Sequence, residues 1–272
     1  MEIALTASDG CRLSATLYGE ERAKSVLILP ATGVPQGYYA RFAAWLAQQG
    51  WRVLTFDYRG IGKSLSGSVR KVRARMRDWA LLDAVAAMDF LGSREIRIVG
   101  HSFGGQALGL LPVERIASAL VVGSQSGYWG NWPLAARAWM WPVTHLALPG
   151  FSHLLGYFPG SRFGFGEDLP KGVAIEWARW CRNPTYLVGD LGVAERYARF
   201  AAPIRAYAFS DDPFGPLGAV RKLLELYPKA RAELRHLQPS DLGVRRIGHF
   251  GFFREQFRDT LWSEAHEWLE RH

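Results

Sequence analysis

Ser102 is the residue of this chain best placed to act as a nucleophile. It stands in Gly100-His101-Ser102-Phe103-Gly104-Gly105, directly after the apolar run Ile96-Arg97-Ile98-Val99. A strand that turns abruptly into a helix brings the backbone on either side of the turn close together. Glycines two residues before and two after the serine suit that approach because they lack Cβ atoms. The turn strains the serine and exposes its hydroxyl. A serine hydroxyl is a weak nucleophile until a base takes its proton, and an imidazole serves best when a carboxylate fixes its tautomer.

A histidine and an acid are therefore needed. His145 and His153 fall in an irregular stretch, His236 in an expected strand, His266 and His272 in the last helix, and His101 on the elbow itself. His249 sits in a Gly-flanked loop, Gly248-His249-Phe250-Gly251, after the last expected strand, where it can reach over the serine. After Glu114 the next acidic residue is Glu167, so the loop after the strand that follows the serine holds no acid. The acid then belongs after Ile204 to Phe209, where Asp211 and Asp212 are adjacent. Asp212 is the preferred acid, with Asp211 the alternative, because with Pro216 four residues on it resembles the Asp-x-x-x-Pro acid loops of the α/β-hydrolase fold.

The elements that must position these residues alternate strand and helix, which implies a mostly parallel sheet with helices on both faces. Glu2 to Thr6 and Cys11 to Tyr18 flank Ser8-Asp9-Gly10 and read as an edge hairpin. Buried strands are expected at Ala23 to Pro30, Trp51 to Phe56, Glu95 to Val99, Ile116 to Val122 and Ile204 to Phe209. A last strand is built from Ala232 to Leu237 and Val244 to Ile247. Helices are expected over Tyr39 to Ala47, Asp78 to Leu91, Phe103 to Leu111, Leu217 to Leu226 and the C-terminal segment. Asp57-Tyr58-Arg59-Gly60-Ile61-Gly62-Lys63-Ser64 runs into a basic loop rather than opening a helix, so a structural turn is expected there and not a dinucleotide site. The rhythm breaks at Gly123. Residues 124–199 carry six of the eleven tryptophans. The chain is thus expected to divide into a core of residues 1–123 and 200–272 and a lid insertion of residues 124–199.

The order Ser102, Asp212, His249 is that of the α/β-hydrolase fold and differs from the orders in chymotrypsin-like and subtilisin-like proteases. The chain resembles α/β-hydrolases, and particularly predicted hydrolases of the serine aminopeptidase-like and monoglyceride lipase-like group. The resemblance rests on the serine segment, on Phe56 to Ser64 and on Ile247-Gly248-His249-Phe250-Gly251-Phe252-Phe253. It covers the core on both sides of the insertion. Where many relatives carry His-Gly after the third strand, this chain has Ala31-Thr32. The resemblance implies an oxyanion hole from the backbone N–H of Phe103 and a second N–H after Pro30, from Thr32, with Gly33 next. It also implies that the insertion covers the site, with Tyr128, Trp129, Trp132 and Phe250 lining a substrate pocket for an apolar guest.

Composition bounds the partners. With 272 residues, 49% of them hydrophobic and 21% charged, the chain can bury a large core. Its N-terminus lacks a basic and apolar leader, and no stretch is long and apolar enough to span a bilayer, so a soluble cytoplasmic protein is expected. Two cysteines, Cys11 and Cys181, show no metal or redox spacing, and no metal or cofactor is expected. The net charge of +8 brings no nucleic-acid motif with it, and no nucleic-acid partner is expected. Between Ser124 and Gly166 there is no acidic residue, while Arg137 and Arg162 are present, which disfavours a cationic amine as guest. The expected activity is hydrolysis of a neutral or anionic carboxylic ester or thioester with an apolar acyl group, through an acyl-enzyme on Ser102. Acyl transfer from the same acyl-enzyme, and ligand binding without turnover, are the alternatives.

Overall fold

A computed structural model describes all residues, 1–272. The strands are β1 Glu2–Thr6, β2 Arg12–Tyr18, β3 Ser25–Leu29, β4 Arg52–Phe56, β5 Ile96–His101, β6 Ile116–Val122, a short pair β7 Tyr157–Phe158 and β8 Leu169–Pro170, then β9 Ile204–Phe209 and β10 Ala232–Leu237. Eight of them form one sheet in the order β1-β2-β4-β3-β5-β6-β9-β10. The β1–β2 hairpin and its junction with β4 are antiparallel, and every pairing from β4 through β10 is parallel. The hairpin lies at one edge, as its alternating pattern implies.

Burial on both faces follows from the strand sequences, because side chains alternate across the sheet. Leu27, Leu29, Leu54, Phe56, Ile96, Ile98, Ala119 and Val121 enter one apolar cluster. Their neighbours Val26, Ile28, Val53, Val99, Leu120 and Val122 enter the other, with Tyr207 and Phe209 from β9. The first cluster is covered by α2, residues 76–91, and by the helices that follow β6. The second is covered by α1 Ala40–Gln48 and by the C-terminal helical run 258–271.

α2 starts where Asp78 Oδ2 accepts the Arg75 N–H at 2.8 Å, a capping contact at the helix N-terminus. Asp57, at the end of β4, accepts from Gln36 N at 2.6 Å, Gln36 Nε2 at 3.1 Å and Lys63 N at 2.9 Å. The Gly60-Ile61-Gly62 segment is thus a turn wrapped on a buried carboxylate that also braces the loop after β3.

Two element boundaries differ from expectation. The helix after Ser102 is a single α-helical turn, α3 Phe103–Gln106, continued by a 3₁₀ turn over Leu108–Leu110. Val244 to Ile247 is not a strand. Pro239–Leu242 makes a 3₁₀ turn ended by Gly243 in the left-handed region, and the following chain is held by Asp211 rather than by a sheet neighbour. A local run of apolar and basic residues carries no information about that competing carboxylate.

Between β6 and β9 the chain leaves the sheet. It forms the helical run α4, residues 134–155, the β7–β8 pair, and helices α5 Lys171–Arg182, α6 Tyr186–Leu191 and α7 Ala194–Arg199. Pro142 falls where the first part of α4 passes into a wider π turn, consistent with the hydrogen bond that proline cannot donate. After β9 comes α8 Leu217–Leu224. No helix is long and apolar enough to cross a membrane.

Candidate active site

Ser102 has φ 50° and ψ −112°, one of two non-glycine residues with positive φ in the chain. Its neighbours explain how the chain holds that strain. A Cβ on Gly104 would lie 2.2 Å from the Leu29 carbonyl oxygen, and one on Gly100 would lie 2.5 Å from the Gly105 nitrogen. Only glycines let α3 pack this tightly against the ends of β3 and β5. The Ser102 N–H donates to the Val122 carbonyl at 2.9 Å, and the Ser102 carbonyl accepts from Gly105 and Gln106 at 3.1 Å each. The turn is therefore over-determined by hydrogen bonds on both sides.

His249 and Asp212 form a buried pair. Nδ1 of His249 lies 2.8 Å from Asp212 Oδ2, with the side chains 6% and 0% exposed. The other carboxylate oxygen, Oδ1, accepts the N–H groups of Phe214 at 2.8 Å and Gly215 at 2.9 Å. These bonds fix the carboxylate and leave Oδ2 to accept the Nδ1–H, so Nε2 is the nitrogen free to take a proton. Gly123, at φ 57°, makes the room: a Cβ there would sit 3.0 Å from His249 Nδ1 and 3.1 Å from Asp212 Oδ2. Trp132 Nε1 donates to the Pro213 carbonyl at 2.9 Å, and the Phe214 ring packs on the His249 ring with centroids 5.4 Å apart.

Asp211 faces the other way. Its Oδ2 accepts Ile247 N–H at 2.9 Å and its Oδ1 accepts Gly248 N–H at 3.0 Å. One aspartate thus meets the imidazole of His249, and its neighbour holds the backbone that carries it.

His101 was not singled out by sequence as part of the site, yet it joins two loops beneath it. Its Nε2 lies 2.9 Å from the His249 carbonyl, which can only accept, so Nε2 carries the proton. Nδ1 then accepts from Tyr39 Oη at 2.9 Å, and Tyr39 Oη in turn accepts the Ala31 N–H at 2.9 Å. Complete burial pushes the His101 imidazole well below its ordinary value of 6.5, with His249 adding to the effect, so the neutral ring is the stable form. The Ala31 N–H is thereby committed to Tyr39. Neither the Thr32 nor the Phe103 N–H is among the protein's turn, loop and cap hydrogen bonds.

Ser102 and His249 open on a cleft whose wall includes Thr32, Trp132, Phe165, Trp177, Phe214 and Phe250. Most of that wall comes from residues 124–199. Of the four pocket residues expected from sequence, Trp132 and Phe250 line the cleft, and Tyr128 and Trp129 do not. Trp129 instead packs against the small cluster of Trp132, Met140 and Ala219 and stacks edge-on with His145. Tryptophan content marked the segment, but helix rotation decides which rings face inward. Sequence reasoning missed Met140, Val143, Thr144, Leu148, Phe165 and Trp177, which α4, α5 and the loop between them deliver. Arg137 and Arg162 are absent from the wall, and no Asp, Glu, Lys or Arg belongs to it. Arg137 Nε donates instead to the Trp132 carbonyl at 2.9 Å. No group of three or more His, Cys, Asp or Glu side chains is arranged to hold a metal ion, and both cysteines are free thiols.

The profile of the Alpha/beta hydrolase family matches residues 26–259, which is most of the chain, and the chain belongs to that family. A stretch of 105 residues is 35% identical to the protein named "Putative carbamate hydrolase RutD" of Caulobacter vibrioides, and it covers 37% of each chain. The match thus spans little more than a third of that relative's length. Among solved structures, DcsB in complex with a substrate analogue superposes with a TM-score of 0.70 at 13% identity, over 100% of this chain and 99% of that one. An esterase of Exiguobacterium antarcticum superposes with a TM-score of 0.66 at 15% identity, over 99% and 100% of the two chains. At such identities these two structures speak to the fold.

Proposed function

We propose that the protein is a serine hydrolase that cleaves a neutral carboxylic ester or thioester with an apolar acyl group, with Ser102, His249 and Asp212 as its catalytic triad. The observation that carries the reading is a buried carboxylate–imidazole pair opening on the same apolar cleft as a strained, glycine-flanked serine.

His249 Nε2 takes the Ser102 hydroxyl proton as Oγ attacks the substrate carbonyl, and Asp212 stabilises the imidazolium that results. The oxyanion of the tetrahedral intermediate accepts from the Phe103 and Thr32 N–H groups. His249 then returns its proton to the leaving oxygen or sulfur, and an acyl-enzyme remains on Ser102. Water, deprotonated by the same imidazole, attacks this ester, and collapse of the second intermediate restores the serine. Residues 124–199 act as a lid whose side chains enclose the guest and exclude bulk water, which strengthens every electrostatic contact inside.

Family membership supports the reaction class, and the names of the relatives, an esterase and a carbamate hydrolase, point to acyl carbonyl chemistry. Turnover of p-nitrophenyl esters by the wild-type protein and its abolition in Ser102→Ala test the assignment. A fluorophosphonate should label Ser102, and labelling at any other serine overturns the proposal.

A further inference from the structure

The chain buries three glutamines, Gln36, Gln106 and Gln125. The protein itself uses two of them. Gln36 Nε2 donates to the Ser14 carbonyl at 3.0 Å and to Asp57 at 3.1 Å, while its Oε1 accepts from Thr55 Oγ1 at 3.0 Å. Gln106 Oε1 accepts from Tyr186 Oη at 2.8 Å. Gln125 differs. It is 93% buried, with 7% of its surface exposed, and its Oε1 is covered with no hydrogen-bond partner. It is also the one among the three that lines the cleft shared by Ser102 and His249. Of the residues with a covered, unpartnered side-chain oxygen or nitrogen, no other belongs to that wall.

The backbone around Gln125 is pinned, so the unpaired Oε1 does not come from a slack loop. Ser126 N–H donates to the Ala219 carbonyl at 2.9 Å, and Asn131 Nδ2 donates to both the carbonyl and the hydroxyl of Ser126 at 3.2 Å. Ser124 fills the space over Gly105 that a Cβ would take. A fixed loop thus holds Gln125 in the wall of an otherwise mainly apolar cleft. Such a group is costly to bury without a partner.

We infer that Gln125 is a specificity-determining residue, and that the substrate carries, on an otherwise apolar body, one neutral group able to donate and accept a hydrogen bond: a hydroxyl or a carboxamide. The inference rests on the hydrolase reading above and refines its substrate. Half a turn about the last torsion exchanges the covered Oε1 with Nε2, so the side chain can turn either N–H or C=O toward the cleft, which suits a partner with both functions. A charged substituent is disfavoured because the wall contains no Asp, Glu, Lys or Arg to compensate it. A site that expects such a group discriminates against the analogue that lacks it, because the buried polar atom is then left unpaired.

Two matched pairs of substrates test this. The first compares an ester of an unsubstituted medium-chain acid with the same ester of its hydroxylated acid. The second compares the propyl ester of one acid with its hydroxypropyl ester, so that acyl-side and alcohol-side placement are separated. The wild-type protein is expected to favour the hydroxylated member of one pair by about tenfold or more in kcat/KM. Gln125→Leu is expected to bring that ratio to about one. The ratio is read within each protein, so a partial loss of folded protein cancels. Thermal melting supplies a second readout: because Oε1 has no partner to lose, Gln125→Leu should melt at or above the wild-type temperature, whereas a glutamine that held the loop together would lower it. Turnover of unsubstituted esters with no preference in either pair, or a preference that survives Gln125→Leu, overturns this inference and leaves the hydrolase reading standing. No turnover of any ester overturns both.

Discussion

Replacing Asp212 by asparagine should do more harm than removing a charge. Oδ1 of Asp212 is held by two backbone donors, Phe214 N at 2.8 Å and Gly215 N at 2.9 Å. In Asp212→Asn the amide oxygen is the atom those donors require, so the NH₂ group is forced into the place of Oδ2, 2.8 Å from His249 Nδ1. That NH₂ donates, so Nδ1 must accept, and the imidazole then carries its proton on Nε2. A protonated Nε2 cannot take the Ser102 proton. Flipping the amide restores the tautomer but turns NH₂ against two backbone N–H groups, one buried and one partly buried. Leaving each of those unsatisfied costs about 1–3 kcal/mol. The productive arrangement then lies about 2–6 kcal/mol up, and at 1.36 kcal/mol per decade kcat falls roughly 30- to 25,000-fold. The same substitution in chymotrypsin-like triads costs about 10⁴-fold. Asp211→Asn is the control: one of its two backbone bonds survives and the other becomes a donor–donor clash, which costs about 1–3 kcal/mol of stability with a loss of activity under about tenfold. The assay is kcat on p-nitrophenyl butyrate with both variants checked for folding. Asp212→Asn keeping a third of wild-type kcat, or Asp211→Asn losing as much as Asp212→Asn, would refute the reasoning.

Three other outcomes follow from the same structure. His101 titrates well below 6.5 in the folded state, so the unfolded chain binds the extra proton first as pH drops. Stability present above about pH 6.5 is then lost toward the folded value, by up to about 1.4 kcal/mol per pH unit from this residue. Melting curves of wild type and His101→Gln between pH 7 and 5 should show the shallower slope in the variant, and parallel slopes would contradict the buried neutral ring. Gly104→Ala places a Cβ 2.2 Å from the Leu29 carbonyl oxygen and should abolish activity or lower the yield of folded protein, as read by near-ultraviolet circular dichroism and turnover; a fully active variant would mean that α3 is not packed on β3 as described. Trp177→Ala and Phe165→Ala enlarge the cleft and should move the optimum of an acyl-chain series to longer chains, measured as kcat/KM against chain length. An unchanged optimum in both would place the acyl group elsewhere.

The residues that form the site were largely legible in order, because the signals are local. A strand running into Gly100-His101-Ser102-Phe103-Gly104 specifies a tight turn wherever it occurs, since the glycines answer a backbone contact and not a distant partner. The absence of any acid between Glu114 and Glu167 narrowed the aspartate to two neighbours. Alternating apolar faces likewise gave the strands, and only the part of the last strand claimed by a remote carboxylate was misread.

Direction in space was not legible. Asp211 and Asp212 carry the same group at adjacent positions, and although Pro216 favoured Asp212 in sequence, it is the packed loops that turn one to an imidazole and the other to two backbone N–H groups. The resemblance implied Tyr128 and Trp129 as pocket residues, yet neither belongs to the wall, where Phe165 and Trp177 from later in the insertion stand instead. His101 and Gln125 gave no sequence signal because their meaning lies in what faces them: a tyrosine and a carbonyl for one, nothing for the other. By itself the sequence determined the sheet, the elbow and a short set of candidate groups. The choice among like residues was left to tertiary structure, because hydrogen-bond pairing and pocket lining depend on side-chain orientation between segments that local pattern does not couple.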